Sequence, residues 1–416
     1  MTEPPPDTPD EARNARAGEA FRFTGVALPV ALTLAIQAVI SMSVVALPVL
    51  MPVAAVELGV PASHVGILMS LIYLNATLVS PVSGFFISRF GAIRTSQVCL
   101  LLCALGLGAV SVPLMPLMAA GALVMGAGYG PVTPASSHLL VRTTPLSMMS
   151  VVFSIKQTGV PLGGAMAGAI VPHLVLLFGW RLSALWVAAA GLMLLFCLLP
   201  YRRRFDTEPA APGRLSWRGA VAPVKTTLRH AGLRRLAIAS FFFSAMQLCL
   251  ASFLVAYLIE ELGMSLVRAG ALLSAAQASG IVGRVVWGAL ADRIVKPRVM
   301  LGVLGIAMSV GALLASLFSP GWPYGALLAV CALFGSVAIG WNGVYLAEVA
   351  RVAAPGQAAT ATGGTLFFTF LGILLGLPAF SLVVERTGSY PIGFAAVAAA
   401  TLVCGIVLLI SREARR

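Results

Sequence analysis

The sequence predicts an all-α membrane protein whose twelve transmembrane helices form two pseudo-symmetric six-helix bundles. Its composition, 59% hydrophobic and 10% charged, provides too little polar surface to cover a soluble globule of 416 residues. Apolar runs of about 20 residues, the length that crosses a bilayer, recur twelve times. The stretch Gly84–Arg94 also has a second copy at Gly288–Arg298, at a fixed offset of 204 residues. The chain therefore consists of two related halves.

The predicted spans are numbered one to twelve in chain order. They cover residues 25–56, 65–87, 96–113, 117–141, 148–172, 181–200, 236–258, 267–289, 299–318, 323–349, 359–383 and 391–411. Six spans fall in an N-terminal bundle, residues 24–200, and six in a C-terminal bundle, residues 236–411.

Three polar segments flank the bundles. Residues 1–23 contain PPPDTPDEARNAR and lack the apolar core of a secretory signal, which predicts a disordered cytoplasmic tail. Residues 201–235 are basic and lack apolar periodicity, which predicts a cytoplasmic linker with a short helix on the lipid surface. Residues 412–416 form a second cytoplasmic tail.

The distribution of basic residues orients the chain. The net charge is +13, and 22 of the 27 lysines and arginines fall on the same side as the N-terminal tail. Only Arg181, Arg268 and Arg386 lie on the opposite side. This asymmetry follows the positive-inside rule, so both termini are predicted in the cytoplasm and the charge does not indicate nucleic-acid binding.

Several classes of chemistry lack their sequence signals. All six cysteines fall inside apolar runs, and Cys99 and Cys103 have no neighbouring histidine or carboxylate, so neither a metal site nor a disulfide framework is expected. No Walker loop precedes a helix, and no nucleophile elbow or His/Glu cluster occurs among the spans. We expect no cofactor and no enzymatic activity.

Two loops at the repeat spacing carry a family resemblance. Gly288-Ala-Leu-Ala-Asp292-Arg293 lies between spans eight and nine, and Gly84-Phe-Phe-Ile-Ser88-Arg89-Phe-Gly91 lies between spans two and three. With the twelve spans, they resemble the signature loops of the major facilitator superfamily over nearly the whole chain. The resemblance implies the major facilitator fold and alternating access between two bundles.

By that resemblance, the loops and their neighbours act in gating. We expect Asp292 to cap the N-terminus of span eleven and to pair with Arg293 or Arg351, which holds one state closed. The first copy has Ser88 where the family has an acid, so it lacks this carboxylate. The residues predicted to act in gating are Gly84, Arg89, Gly91, Gly288, Asp292, Arg293, Glu348 and Arg351.

Two cations fall inside spans, where a charge costs a few kcal/mol and usually faces protein or water. Lys156 lies about 12 Å into span five, at 1.5 Å per residue, and can bind an anion or exchange a proton. Arg284 lies on span eight in the pattern Arg284-x-x-x-Gly288-x-x-x-Asp292, which is similar to oxalate/formate antiporters and monocarboxylate transporters. That resemblance implies an anion-binding arginine. The structural alternatives are a lysine that reaches a carbonyl or the interface, and an arginine that bonds a neighbouring helix or Glu348.

Other polar and aromatic residues at mid-span depth form a pool of candidate contacts, each of which is individually more typical of a packed core residue. The predicted substrate-binding set is Lys156, Arg284, Gln37, Tyr129, Gln157, Gln247, Gln277, Trp341, Asn342 and Tyr345. We expect His138 to be a hydrogen-bonded structural residue, with a role in proton coupling as the alternative.

The sequence therefore predicts a monomeric secondary transporter of a small organic anion, in particular a carboxylate, in a bacterial-type inner membrane. We expect transport by proton symport or by anion exchange. Besides the substrate, the expected partners are the lipid bilayer and, for symport, protons; nucleic acid is not an expected partner. A drug or metabolite exporter is an alternative, because Gly159-Val-Pro161-Leu-Gly163-Gly164 resembles the antiporter motif of span five. A sensor or scaffold without transport is a third interpretation.

Overall fold

The computed structural model describes residues 9–59, 65–206, 217–264 and 266–410. In these ranges, eleven helical segments are long and apolar enough to cross a membrane. The longest of them, Leu146–Phe205, has 60 residues and contains predicted spans five and six. A straight helix of that length would extend about 90 Å, against a hydrocarbon core of about 30 Å. The chain leaves the helical conformation at Gly179, where φ is +75°, so the segment provides two spans.

The helices of the first half follow the predicted order. Spans one to four are formed by Pro9–Leu58, by Val65–Val79 with Ser83–Phe90, by Ala92–Val110 and by Met115–Thr143. Span five begins with Met149–Gln157, and Gly159–Cys197 completes it and forms span six.

The second half begins after a short helix, Arg202–Phe205, and a linker helix, Trp217–Arg229. Spans seven to nine are Ala231–Glu260, Leu266–Arg293 and Pro297–Ser316. Span ten consists of Tyr324–Ala338 and Asn342–Val352, and spans eleven and twelve are Ala358–Thr387 and Tyr390–Ile410.

Most helix packing occurs within one half. Span one packs on the helix of spans five and six, span three on span four, span seven on span eleven, and span nine on span twelve. Between the halves, span five packs against spans eight and ten, and span eleven packs against spans two and four. The expected contact of span five with span eight is present, and span ten joins it.

One prediction for the polar segments differs from the structure. The predicted disordered tail, residues 1–23, is helical from Pro9 onward, because alanine, arginine and glutamate are strong helix formers and span one supplies the helix nucleus. Residues 1–8 and 411–416 lie outside the described ranges. The expected short linker helix is present, and Pro223 and Thr227 on one side of it are buried against Gly364 of span eleven. Val221 and Leu228 are exposed on it, and its contact with the lipid surface stays a prediction.

Candidate functional site

A break in span five makes one backbone carbonyl available to a side chain. The helix Met149–Gln157 ends at Thr158, and the next helix begins at Gly159. In a continuous helix, the carbonyl of Gln157 would accept from the N–H of residue 161, but that residue is Pro161, which has no N–H. The Gln157 carbonyl is therefore available, and Arg284 of span eight donates to it through Nη1.

A second break lies opposite, in span ten. The turn Ile339–Trp341 separates its two helices. This turn presents the carbonyl of Ile339, which accepts from Arg284 Nε at 2.9 Å and from the side-chain amide of Asn342 at 3.4 Å. Interrupted helices inside a membrane commonly supply such carbonyls to a binding site. The two breaks hold Arg284 between the halves.

Lys156 is surrounded by neutral oxygen atoms. Its Nζ donates to Gln37 Oε1 at 2.8 Å, to Gln157 Oε1 at 2.9 Å and to Thr133 Oγ1 at 3.3 Å. An ammonium group has three N–H donors, so each has an acceptor. Gln37 also donates to Ser41 Oγ at 3.3 Å, which fixes its amide on span one. Lys156 is therefore held among spans one, four and five.

Gln157 joins the two cations into one cluster. Its side chain accepts from Lys156, and its backbone carbonyl accepts from Arg284. Both cations are enclosed, with 1% of Lys156 and 2% of Arg284 exposed. No carboxylate of the described residues forms an ion pair with either of them. The cluster therefore concentrates positive charge that the described part of the protein does not neutralise.

Three other predicted binding residues form a neighbouring network in the C-terminal half. Gln247 Oε1 accepts from Trp341 Nε1 at 3.1 Å and from Asn342 Nδ2 at 3.0 Å. Asn342 links this network to Arg284 through the shared Ile339 carbonyl. Trp341 is fully buried, and Tyr345 is 2% exposed. The Tyr345 ring packs edge-on against the Trp341 ring, with 5.2 Å between the ring centroids. Trp341 and Tyr345 are thus packed core residues in this state.

The last two predicted binding residues differ in environment. Tyr129 lies in an aromatic group between the halves, with its ring 6.0 Å from Tyr73 of span two and 5.9 Å from Phe370 of span eleven. Gln277 is exposed, two helical turns from Arg284 on the same face of span eight. Neither residue hydrogen-bonds to the cation cluster in the described ranges.

Asp292 joins the two halves at the end of the molecule that holds the two signature loops. Its carboxylate accepts from the backbone N–H groups of Ser150, at 3.0 Å, and Val151, at 2.8 Å, at the start of span five. Arg351 donates to the same carboxylate at 2.8 Å and to Ser150 Oγ at 3.1 Å. The prediction that Asp292 caps span eleven is wrong, because span five, and not span eleven, packs against span eight. Of the two predicted arginine partners, it pairs with Arg351.

The other residues of the two signature loops serve packing and turns. Gly288 lies against Ser154 of span five, and Gly84 lies against Thr360 of span eleven, each with no room for a side chain. Gly91 has a φ of +89° and ends the last helix of span two. Of the remaining gating candidates, Arg89 lies over the ring of Phe90, and Arg293 is exposed at the end of span eight. Glu348 lies one helical turn before Arg351.

Sequence reasoning missed several residues that the structure places in these networks. Thr133 contacts Lys156, Ser150 contacts Asp292 and Arg351, and Asp206 accepts from the backbone N–H groups of Ile93 and Arg94 at 3.0 and 2.9 Å. A proline four residues after Gln157 is a readable signal for its available carbonyl. Ser150 and Asp206 carried no comparable signal, because their partners are far away in sequence.

Comparisons with known proteins agree with this architecture. The model of the Major Facilitator Superfamily matches residues 33–377. The chain is 24% identical over 293 residues to the hexuronate transporter of Bacillus subtilis, covering 68% of each chain. It is 27% identical over 360 residues to monocarboxylate transporter 13 of Bos taurus, covering 84% of this chain and 80% of that one.

A solved structure has the same fold. The crystal structure of the transporter FucP in the outward conformation matches with a TM-score of 0.73 and 16% identity, covering 92% of this chain and 98% of FucP. This similarity confirms the predicted all-α fold of two six-helix halves.

Proposed function

The chain belongs to the major facilitator superfamily and is therefore a multi-pass secondary transporter and not an enzyme, and we propose that its substrate is a small organic anion, in particular a carboxylate. The observation that carries the proposal is the cluster of Lys156 and Arg284. Arg284 is enclosed between the halves, Lys156 is enclosed among spans one, four and five, and no carboxylate of the described residues pairs with either cation. An uncompensated buried charge costs several kcal/mol. A bound anion would remove much of that cost.

The two cations have different roles in the proposal. Arg284 has five N–H donors, and the Nη2 amino group has no hydrogen-bond partner among the described residues. Nη2 is thus available to a substrate carboxylate, while Nε and Nη1 hold the side chain in place. Lys156 already has three acceptors, so it contributes mainly its charge. It can bind the anion directly only when Gln37, Thr133 or Gln157 releases it.

The relatives support the same substrate class. The names of the hexuronate transporter and of monocarboxylate transporter 13 both denote carboxylates. A cationic drug, the substrate class of the efflux alternative, would lack a carboxylate partner near the cluster in the described ranges. We further propose that the protein is a monomer in a bacterial inner membrane with both termini in the cytoplasm.

Transport by alternating access requires the contact of Asp292 and Arg351 with span five to open. In the structure, Asp292 and Arg351 bind the start of span five across the halves. We propose that this contact closes the cytoplasmic side while the site is open to the opposite side, and that it breaks when the site opens to the cytoplasm. The driving reaction is either proton symport or anion exchange. Uptake driven by an outside-acid pH gradient indicates the first, and uptake that requires internal anion indicates the second.

Uptake into proteoliposomes tests the substrate class. We expect saturable uptake of a hexuronate or a short monocarboxylate, with no uptake of a neutral hexose. Because loss of one partner from a buried charge pair costs 2–5 kcal/mol, Lys156→Ala and Arg284→Ala should each lower kcat/KM by about 30-fold or more. Lys225→Ala and Arg386→Ala, which remove exposed cations, should keep normal uptake. Intact anion uptake in both Lys156→Ala and Arg284→Ala would contradict the proposal.

A further inference from the structure

A lateral groove lies between spans two, three and four, away from the cation cluster. Its volume is about 600 Å³, and neither Lys156 nor Arg284 lines it. Its apolar walls are formed by Val79, Phe86, Phe90, Val98, Leu102 and Pro131. Phe90 is 43% exposed and Val98 is 54% exposed, so the groove is open along the outer face of the bundle. In a membrane, that face meets lipid.

One end of the groove carries two arginines. Arg94 is near the start of span three, and Arg202 follows the end of span six. Arg202 donates Nε to Gln97, and its other donors, like the guanidinium of Arg94, have no hydrogen-bond partner among the described residues. The carboxylate of Asp206 interacts electrostatically with both arginines, but its two oxygens accept hydrogen bonds from the backbone N–H groups of Ile93 and Arg94. The two guanidinium groups therefore keep most of their hydrogen-bonding capacity.

The arrangement of charge and apolar surface fits an amphipathic anion. From Arg94 to Leu102 the groove extends along span three for about 12 Å, at 1.5 Å per residue. This distance leads from the depth of the lipid headgroups into the hydrocarbon core. Basic pockets between transmembrane helices on the cytoplasmic side are suited to anionic lipid headgroups. A free phosphate ion would leave the apolar walls uncovered, and a zwitterionic headgroup would bring no net charge to the arginines.

We propose that this groove binds an anionic phospholipid of the cytoplasmic leaflet. The phosphate lies between Arg94 and Arg202, and one acyl chain lies along Phe86, Val98 and Leu102. The bound lipid joins the start of span three to the end of span six. It lies next to Asp206, whose carboxylate caps the first turn of span three.

Native mass spectrometry of the full chain in detergent tests the proposal, with dioleoylphosphatidylglycerol and dioleoylphosphatidylcholine as probes. We expect one phosphatidylglycerol to bind more tightly than phosphatidylcholine. Because each basic residue near an anionic headgroup contributes about fivefold in affinity, Arg94→Gln with Arg202→Gln should weaken that binding by about 25-fold. Leu102→Trp should weaken it by filling the groove, with both arginines retained.

Arg298→Gln is the matched control, because Arg298 occupies the position of Arg94 in the second copy of the repeat. It should leave phosphatidylglycerol binding unchanged, and the thermal unfolding of every variant should remain cooperative. Equal binding of the two lipids by the wild-type protein would overturn the proposal. So would an equal loss in Arg298→Gln, or displacement of the lipid by inorganic phosphate, which would assign the arginines to a free anion.

Discussion

Gln157 is the residue that accepts a hydrogen bond from both buried cations. Its amide oxygen accepts from Lys156 and its backbone carbonyl accepts from Arg284, so movement of either cation changes a hydrogen bond of the same residue. The carbonyl is available only because residue 161 is a proline. The same short segment of span five therefore determines both the position of Lys156 and that of Arg284.

Pro161→Ala tests this dependence. The new N–H at position 161 can bond the Gln157 carbonyl and compete with Arg284. We expect the KM for the transported anion to rise several-fold, while the free energy of unfolding stays equal or rises by about 1 kcal/mol, the net value of a backbone hydrogen bond. Uptake kinetics and thermal unfolding measure the two effects.

Pro172→Ala is the control, because this proline lies in the same helix farther from the cluster. It should leave KM unchanged. An unchanged KM in Pro161→Ala would show that the available carbonyl does not position Arg284.

The candidate site could be predicted from the sequence only in part. Lys156 and Arg284 stand out because charges are rare inside apolar spans. Their shared contact with Gln157 could not be read, because it depends on how spans five and eight meet. Thr133 was missed for a similar reason, since a threonine within a span usually bonds its own helix.

At the level of helices, the contact between the halves depends on small residues in spans eight and ten. Ser154 of span five fits between Gly288 and Gly343, and a Cβ atom at either glycine would overlap it. Close approach of this kind is the usual mechanism of helix association in membranes. It brings the carbonyls of both helix breaks within reach of Arg284.

Gly343→Ala should therefore separate spans five and ten. Overpacking of a close contact typically costs 1–3 kcal/mol, so we expect the thermal unfolding midpoint to fall by several degrees, together with loss of anion uptake. Gly164→Ala is the matched variant, because no atom lies near the place that its Cβ would occupy. It should leave stability unchanged or raise it by about 1 kcal/mol. Equal effects of the two substitutions would contradict the packing account.

The helices themselves were largely predictable, and their breaks were not. Apolar length predicted all twelve spans, because the bilayer requires about 20 residues for each. The break at Ile339–Trp341 lies inside predicted span ten, so apolar length gave no sign of it. The cluster Gly340-Trp341-Asn342-Gly343 was the available signal, since two glycines and an asparagine within four residues weaken a helix.

Across the whole molecule, the two signature loops are not equivalent. Asp292 joins its half to span five, whereas Ser88, at the matching position, bonds to the carbonyl of Phe85 in its own helix. At the opposite end, Glu57 accepts from Trp180 Nε1 at 2.8 Å and pairs with Arg181, all within the first half. The polar contact of Asp292 crosses between the halves, and the contact of Glu57 does not.

The contact of Glu57 predicts a pH dependence of stability. Glu57 lies in the last turn of the helix Pro9–Leu58, past its membrane-crossing part Gly25–Met51. The indole N–H of Trp180, followed by Arg181, holds the pKa of its carboxyl below the usual 4.5. A lowered pKa in the folded state means that the contribution to stability is present above pH 4.5 and is lost as the pH falls through the folded value. We expect Glu57→Gln to lower the unfolding midpoint at pH 7 and to match the wild type at a pH below both values. A constant difference between the two proteins across that range would contradict this account.

The most direct test of the anion site is a thermal unfolding titration of the purified protein with a hexuronate and a short monocarboxylate, at constant ionic strength maintained with chloride. Saturating ligand, at about 100 times Kd, stabilises the folded state by about 2.7 kcal/mol, so we predict a rise in the unfolding midpoint of about 5 °C in the wild type and in Arg386→Gln. We predict no rise in Arg284→Gln and a reduced rise in Lys156→Gln. Equal stabilisation of all four proteins by the carboxylate, or equal stabilisation by a neutral hexose, would contradict an anion site formed by Lys156 and Arg284.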